Sequence, residues 1–67
     1  MRLIIAGTFW AENLVKHRKK GGKLEYEVKW LDYPASDNTW EKEVDIGEHH
    51  LLEYWRGVLQ RVRKTAQ

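Results

Sequence analysis

Between Leu24 and Trp30 the chain alternates strictly. Leu24, Tyr26, Val28 and Trp30 are apolar or aromatic, and Glu25, Glu27 and Lys29 between them are charged. A period of two marks an extended strand with one buried face. Upstream, residues 9–15 read as a first strand of mixed polarity. Residues 16–23 read as a basic turn ending in Gly21-Gly22, which supplies the positive φ a hairpin needs. Residues 32–37 carry Asp32, Pro34, Ser36 and Asp37, the chemistry of a turn, and residues 38–42 form a third short strand around Thr39 and Trp40. The order is an antiparallel meander.

From Glu48 the period lengthens. Leu51, Leu52, Trp55, Val58, Leu59 and Val62 fall on one stripe of an α-helix. Glu48 and Glu53 lie toward its start, and Arg56, Arg61, Arg63 and Lys64 toward its end, as the helix dipole favours. Asp45 or Gly47 is placed to cap it. Gly57 weakens the middle by roughly 1 kcal/mol relative to Ala, and its missing side chain suits close packing on the sheet. A hairpin alone is marginal in water, so the helix is expected to cover the sheet. The predicted class is α+β: a small three-stranded antiparallel sheet with a C-terminal α-helix packed across it.

Sixty-seven residues hold one domain with a modest core. Without cysteine there is no disulfide framework and no thiolate metal site, and a reducing compartment is expected. No apolar run reaches membrane-spanning length, and residues 1–7 are too short for a signal peptide, so the expectation is a soluble module with no membrane partner. The net charge of +2 is not that of a dedicated DNA binder. Its distribution says more. Lys16, His17, Arg18, Lys19 and Lys20 form one basic block, Arg56, Arg61, Arg63 and Lys64 another, and acids concentrate between Glu25 and Glu53. Such a layout suits a grip on a cationic peptide near a polyanion, and suits ordinary surface charge equally well.

An enzyme is hard to assemble from this inventory. Ser36 is the only serine, and the histidines are His17 and the pair His49-His50. Adjacent helix positions point about 100° apart, so the pair cannot easily share a metal, and it reads as exposed histidines near a helix start. A non-enzyme with no cofactor and no metal is expected.

The aromatics are more telling: four Trp, three Tyr and one Phe. Trp55 and Tyr26 read as core and Trp40 as packing, which leaves Phe9, Trp10, Trp30 and Tyr33 without clear core assignments. Rings near the acid Asp37 would make a site for an organic cation, since the ring quadrupole attracts positive charge. By alternation, however, Trp30 continues the core face of its strand. On pattern alone both readings stand.

The tract from Tyr26 through Trp30-Leu31-Asp32-Tyr33 to Asp37-Asn38-Thr39-Trp40-Glu41 resembles the signature of the chromodomain family. Phe9-Trp10-Ala11-Glu12-Asn13-Leu14-Val15 is similar to that family's first strand, and Leu51-Leu52-Glu53-Tyr54-Trp55 to its C-terminal helix. The match divides the chain into an extension at 1–7, a module at 8–64 and a tail at 65–67. The fold it implies is a curved, SH3-like three-stranded sheet with a helix across one end.

The resemblance also implies a function: a nuclear chromatin reader that binds a methylated lysine of a histone tail. The cage would be Phe9, Trp30 and Tyr33, with Asp37 beside the ammonium. The peptide would insert as an added strand between Thr8, Trp10 and Ala11 on one side and Glu43, Val44, Asp45 and Gly47 on the other. Ala11 and Val44 would line a pocket for a small side chain. Departures from the family pattern lie in this groove: Trp10 is bulky, Lys42 replaces a common proline, Asp45 an asparagine and Gly47 an acid. Leu3-Ile4-Ile5 could add a strand over the groove or pair two molecules, giving a monomer or weak dimer. Two alternatives remain: a DNA- or RNA-binding module contacting phosphates through Lys16, Arg18, Lys19, Lys20, Arg61, Arg63 and Lys64, or a shadow-type dimerisation module. A retroelement integrase is a further candidate for the parent protein.

Overall fold

The computed structural model describes residues 9–65, with side chains through residue 63. The expectations for residues 1–7 and Thr8, for the Lys64 side chain and for the end of the tail fall outside that range. Strand β1 (Ala11–Lys20) pairs antiparallel with β2 (Lys23–Trp30), and β2 with β3 (Thr39–Lys42), in the order β1-β2-β3. Single 3-10 turns at Ala35–Asp37 and Glu43–Asp45 connect the rest, and helix α1 runs Glu48–Thr65. This is the expected three-stranded meander with a C-terminal helix.

The register sorts the side chains. Ala11, Leu14 and His17 lie opposite Trp30, Val28 and Tyr26, while Thr39 and Glu41 lie opposite Val28 and Tyr26. Directly opposed residues share a face, so these positions form the inner face of the sheet. On the outer face Lys16 pairs with Glu27 and Arg18 with Glu25, and the Arg18 guanidinium lies 4.2 Å from the Trp40 ring centre. Trp40 therefore packs against charged stems on the solvent side.

The basic block is strand and not turn, which corrects the sequence reading. Residues 16–20 continue β1 because each finds a partner on β2, and the connection shrinks to Gly21 and Gly22 with φ of 59° and 80°. Positive φ at both positions is what a two-residue hairpin turn requires.

Ala11, Leu14, Tyr26, Val28 and Ile46 are buried as core, with Leu24, Trp30, Leu51, Tyr54 and Trp55 packed against them. Helix α1 lies on this cluster, but rolled relative to the predicted stripe. Leu52, Leu59 and Val62 are 57–59% exposed. Leu51 and Trp55 of that stripe do face the core, and Tyr54 joins them; the rings of Tyr54 and Trp55 meet Tyr26 at 5.6 and 6.3 Å and His17 at 5.7 and 4.7 Å. Polar tips complete this seam. Trp55 Nε1–H donates to the Tyr26 hydroxyl at 3.0 Å, Tyr26 donates to Glu43 at 2.6 Å, and His17 Nδ1 is hydrogen-bonded to the Tyr54 hydroxyl at 2.7 Å.

Three smaller expectations change. His50, read as exposed, is 6% exposed, because the roll carries it under the helix beside Leu51. Gly57 does not mediate close packing, since a Cβ there would meet only Arg61 Nη1 at 3.9 Å. At the helix start the Gly47 carbonyl accepts from the amides of His50 and Leu51, so glycine occupies the cap position without a side-chain bond.

Candidate functional site

The end of β2 carries the aromatic cluster. Trp30 is its last residue, and the Leu31 amide donates to the Trp10 carbonyl at 2.8 Å, which ties the chain just before β1 to the exit of β2. That tie brings Phe9 beside Trp30. The chain then reverses through Asp32, whose φ of 69° is left-handed, and the Tyr33 amide donates back to the Trp30 carbonyl at 3.2 Å. Asp tolerates this conformation better than most residues. The reversal returns Tyr33 to the same place.

The result is an arrangement of three rings. Phe9 lies 6.0 Å from Trp30 and 6.1 Å from Tyr33, at interplanar angles of 67° and 64°. With Asp37, Thr39 and Glu41 they line a cavity of about 270 Å³. Its walls are apolar ring faces and edges, and two carboxylates stand at its margin. Phe9 and Tyr33 remain 42% and 44% exposed, so the cavity opens to solvent. The 3-10 turn at Ala35–Asp37, closed by the Asp37 amide on the Pro34 carbonyl at 2.9 Å, positions the acid.

The Trp30 indole is held in place. Its Nε1–H donates to Thr39 Oγ1 at 2.9 Å, and the Thr39 hydroxyl donates to Glu41 at 2.6 Å. Thr39 and Glu41 are site residues that the sequence reading passed over. The signal was present: they alternate on β3 and fall opposite Val28 and Tyr26, on the face that Trp30 shares.

The remaining candidates scatter. Trp10 lines a second hollow with Phe9, Leu31, Asp32 and Tyr33. Ala11 is core, Val44 is 87% exposed, and Glu43 is engaged by the Tyr26 hydroxyl. Asp45 ends the second 3-10 turn, and Gly47 caps α1. Lys19 and Lys20 lie at the hairpin, Lys16 and Arg18 on the outer face, and Arg61 on α1 beside Asn13, His50 and Tyr54; Arg63 is exposed further along the helix. No cluster of metal-ligating side chains occurs among the described residues, and no described helix is long and apolar enough to cross a membrane.

Residues 9–57 match the family of the Chromo (chromatin organisation modifier) domain. The chain is 40% identical over 45 residues to chromo domain-containing protein cec-1 of Caenorhabditis elegans, covering 67% of this chain and 15% of that protein. It is 33% identical over 55 residues to heterochromatin protein 1 of Drosophila melanogaster, covering 82% of this chain and 27% of that protein. To human M-phase phosphoprotein 8 it is 30% identical over 61 residues, covering 88% of this chain and 7% of that protein. The chain therefore spans less than a third of each relative's length.

Proposed function

The chain belongs to the chromodomain family, and we propose that it holds a methylated lysine of a histone tail in the cage of Phe9, Trp30 and Tyr33. Chromodomains are chromatin-binding modules and not catalysts. The observation that carries the finer reading is the convergence of three rings and two carboxylates on one cavity of about 270 Å³.

Methylation removes N–H donors from the ammonium and spreads its charge over apolar methyl groups. Water then solvates the group less well, while ring faces still attract it. Each ring contributes on the order of 0.5 to 2 kcal/mol, the upper value when desolvated. Asp37 and Glu41 add Coulomb attraction and could accept a hydrogen bond from an ammonium that keeps an N–H. Strand β1 lies at the sheet edge, so a tail peptide would add along the chain that leads into it. Nuclear chromatin is the corresponding location.

The test is calorimetric titration of histone-tail peptides with and without lysine methylation, repeated with Trp30→Ala. Preference for the methylated peptide, lost in the variant, supports the reading. Equal binding of both peptides would sink it. The shadow-type alternative lacks a working cage, and the three converging rings count against it here.

A further inference from the structure

Where α1 packs on β1, the two elements enclose a cleft of about 200 Å³ that shares no residue with the cage. Asn13 and Leu14 of β1 form one wall, and His50, Glu53, Gly57 and Arg61 of α1 form the other. His50 is 6% exposed, and its Nε2 is buried without a hydrogen-bond partner among the described residues. A buried nitrogen left in that state costs stability, and folded chains keep few of them. Nothing among the described residues offsets the cost.

Gly57 is the second residue that folding leaves unexplained. It lies inside a helix, where glycine is a poor choice, and it does not serve close packing on the sheet. A Cβ built there meets only Arg61 Nη1, at 3.9 Å. The missing side chain therefore keeps the cleft open, and a methyl group would stand in it against the guanidinium.

We propose that this cleft is a binding site for a single carboxylate on a short aliphatic stem. Such a group is found on an aspartate or glutamate side chain and on a small free carboxylic acid. Arg61 carries a planar fork of N–H donors matched to a carboxylate, with enough of them to serve more than one partner. The Asn13 amide adds a donor, and His50 Nε2 adds another when it carries the ring proton. Leu14 and Tyr54 supply apolar wall for the stem. The volume is below that of a drug-sized pocket, which suits a group no larger than a side chain. The single acid of the lining, Glu53, has a side chain 62% exposed and touches His49 Nε2 at 3.3 Å. Its charge disfavours a dianion such as phosphate more than one carboxylate.

The experiment is titration of the full chain, followed by NMR, with sodium propionate and with glutamate blocked at both ends. Blocked glutamine and inorganic phosphate are the controls, at constant ionic strength. Both carboxylates should give saturable shifts centred on Asn13, His50 and Arg61. Tighter binding of blocked glutamate marks a protein side chain as the source, and tighter binding of propionate a free acid. Arg61→Gln should weaken binding roughly ten- to a hundredfold, the worth of a hydrogen bond to a charged group. Gly57→Ala should weaken it about tenfold or more by filling the cleft, while Tm does not fall. That variant separates loss of the site from loss of the fold. Trp30→Ala should bind both carboxylates as the unaltered chain does, so failure of the cage leaves this result untouched. No saturable shift with either carboxylate overturns the proposal. So does an equal response to blocked glutamine or phosphate, or unchanged affinity in Gly57→Ala.

Discussion

The Trp30 indole N–H donates to the Thr39 hydroxyl at 2.9 Å, a hydrogen bond that fixes a cage ring directly to the neighbouring strand. Thr39→Val keeps the shape and removes the acceptor. The loss should weaken methylated-peptide binding about three- to tenfold, the worth of one net hydrogen bond, while Thr39→Ser retains affinity. Unchanged affinity in the valine variant would mean that packing alone holds the ring.

Asp37 lies at the cavity margin on its own 3-10 turn. Asp37→Asn removes the charge with little change of shape. Affinity should fall by about 0.5 to 1.5 kcal/mol, and more for monomethyl- and dimethyl-lysine, which keep an N–H to donate, than for trimethyl-lysine. Titration with the three peptides measures the order, and a uniform loss across them would refute the hydrogen-bond role.

Tyr26 connects sheet, helix and the second 3-10 turn. Burial of its hydroxyl first, then the hydrogen bond to Glu43, pushes its pKa up to about 12, with the Trp55 donor acting in the opposite sense. The folded state therefore holds this proton more tightly than the unfolded chain, where a tyrosine titrates near 10. The stability it contributes is fully present below about pH 10 and is lost as pH rises toward 12. In urea unfolding across that window, Tyr26→Phe should show a shallower decline. Burial raises the Tyr54 pKa too, and the decline that persists belongs partly to Tyr54. Identical pH slopes for variant and parent would count against the linkage. At neutral pH the same variant should cost about 1 to 3 kcal/mol, because Trp55 Nε1–H loses its acceptor.

Gly57 lies inside α1 with room for a methyl group. Gly57→Ala should stabilise the fold by about 0.5 to 1 kcal/mol, raising Tm by several degrees in a domain of this size. A lowered Tm would show that α1 approaches the sheet more closely at this point.

The roll of the helix is testable by contrast. Leu59 is 59% exposed and Leu14 is 7% exposed. Leu59→Gln should shift stability by no more than about 0.5 kcal/mol, while Leu14→Ala should cost about 2 to 5 kcal/mol. Chemical denaturation of the two variants decides it, and a large loss at Leu59 would restore the stripe read from the sequence.

Period two in β2 and the turn residues at Gly21-Gly22 and Asp32–Asp37 made the meander legible, and the longer period after Glu48 made the helix so. Two features escaped for physical reasons. Beyond Val15 both faces of β1 are polar, so hydropathy goes silent, and the strand persists through cross-strand pairing of Lys16 and Arg18 with Glu27 and Glu25. The helix face was misjudged because Leu52, Leu59 and Val62 score as more apolar than Tyr54 and His50. Contacts with Tyr26 and His17, available only after folding, select the aromatic side. In the cage, Trp30 and Tyr33 stood out in sequence, but Glu41 drew no notice until pairing placed it on the same face.

Of the residues lining the cage, Trp30 packs against the buried cluster and Thr39 and Glu41 belong to β3, while Phe9, Tyr33 and Asp37 sit on chain that leads into or out of the strands. Folding and recognition thus share the sheet positions Trp30, Thr39 and Glu41 but not the rim positions Phe9, Tyr33 and Asp37. A lineage carrying this domain can retune its target by substitution at the rim while the protein keeps its shape and solubility. One such scaffold can then be inherited by parent proteins of unlike length and purpose, with Trp30 as the position least free to drift.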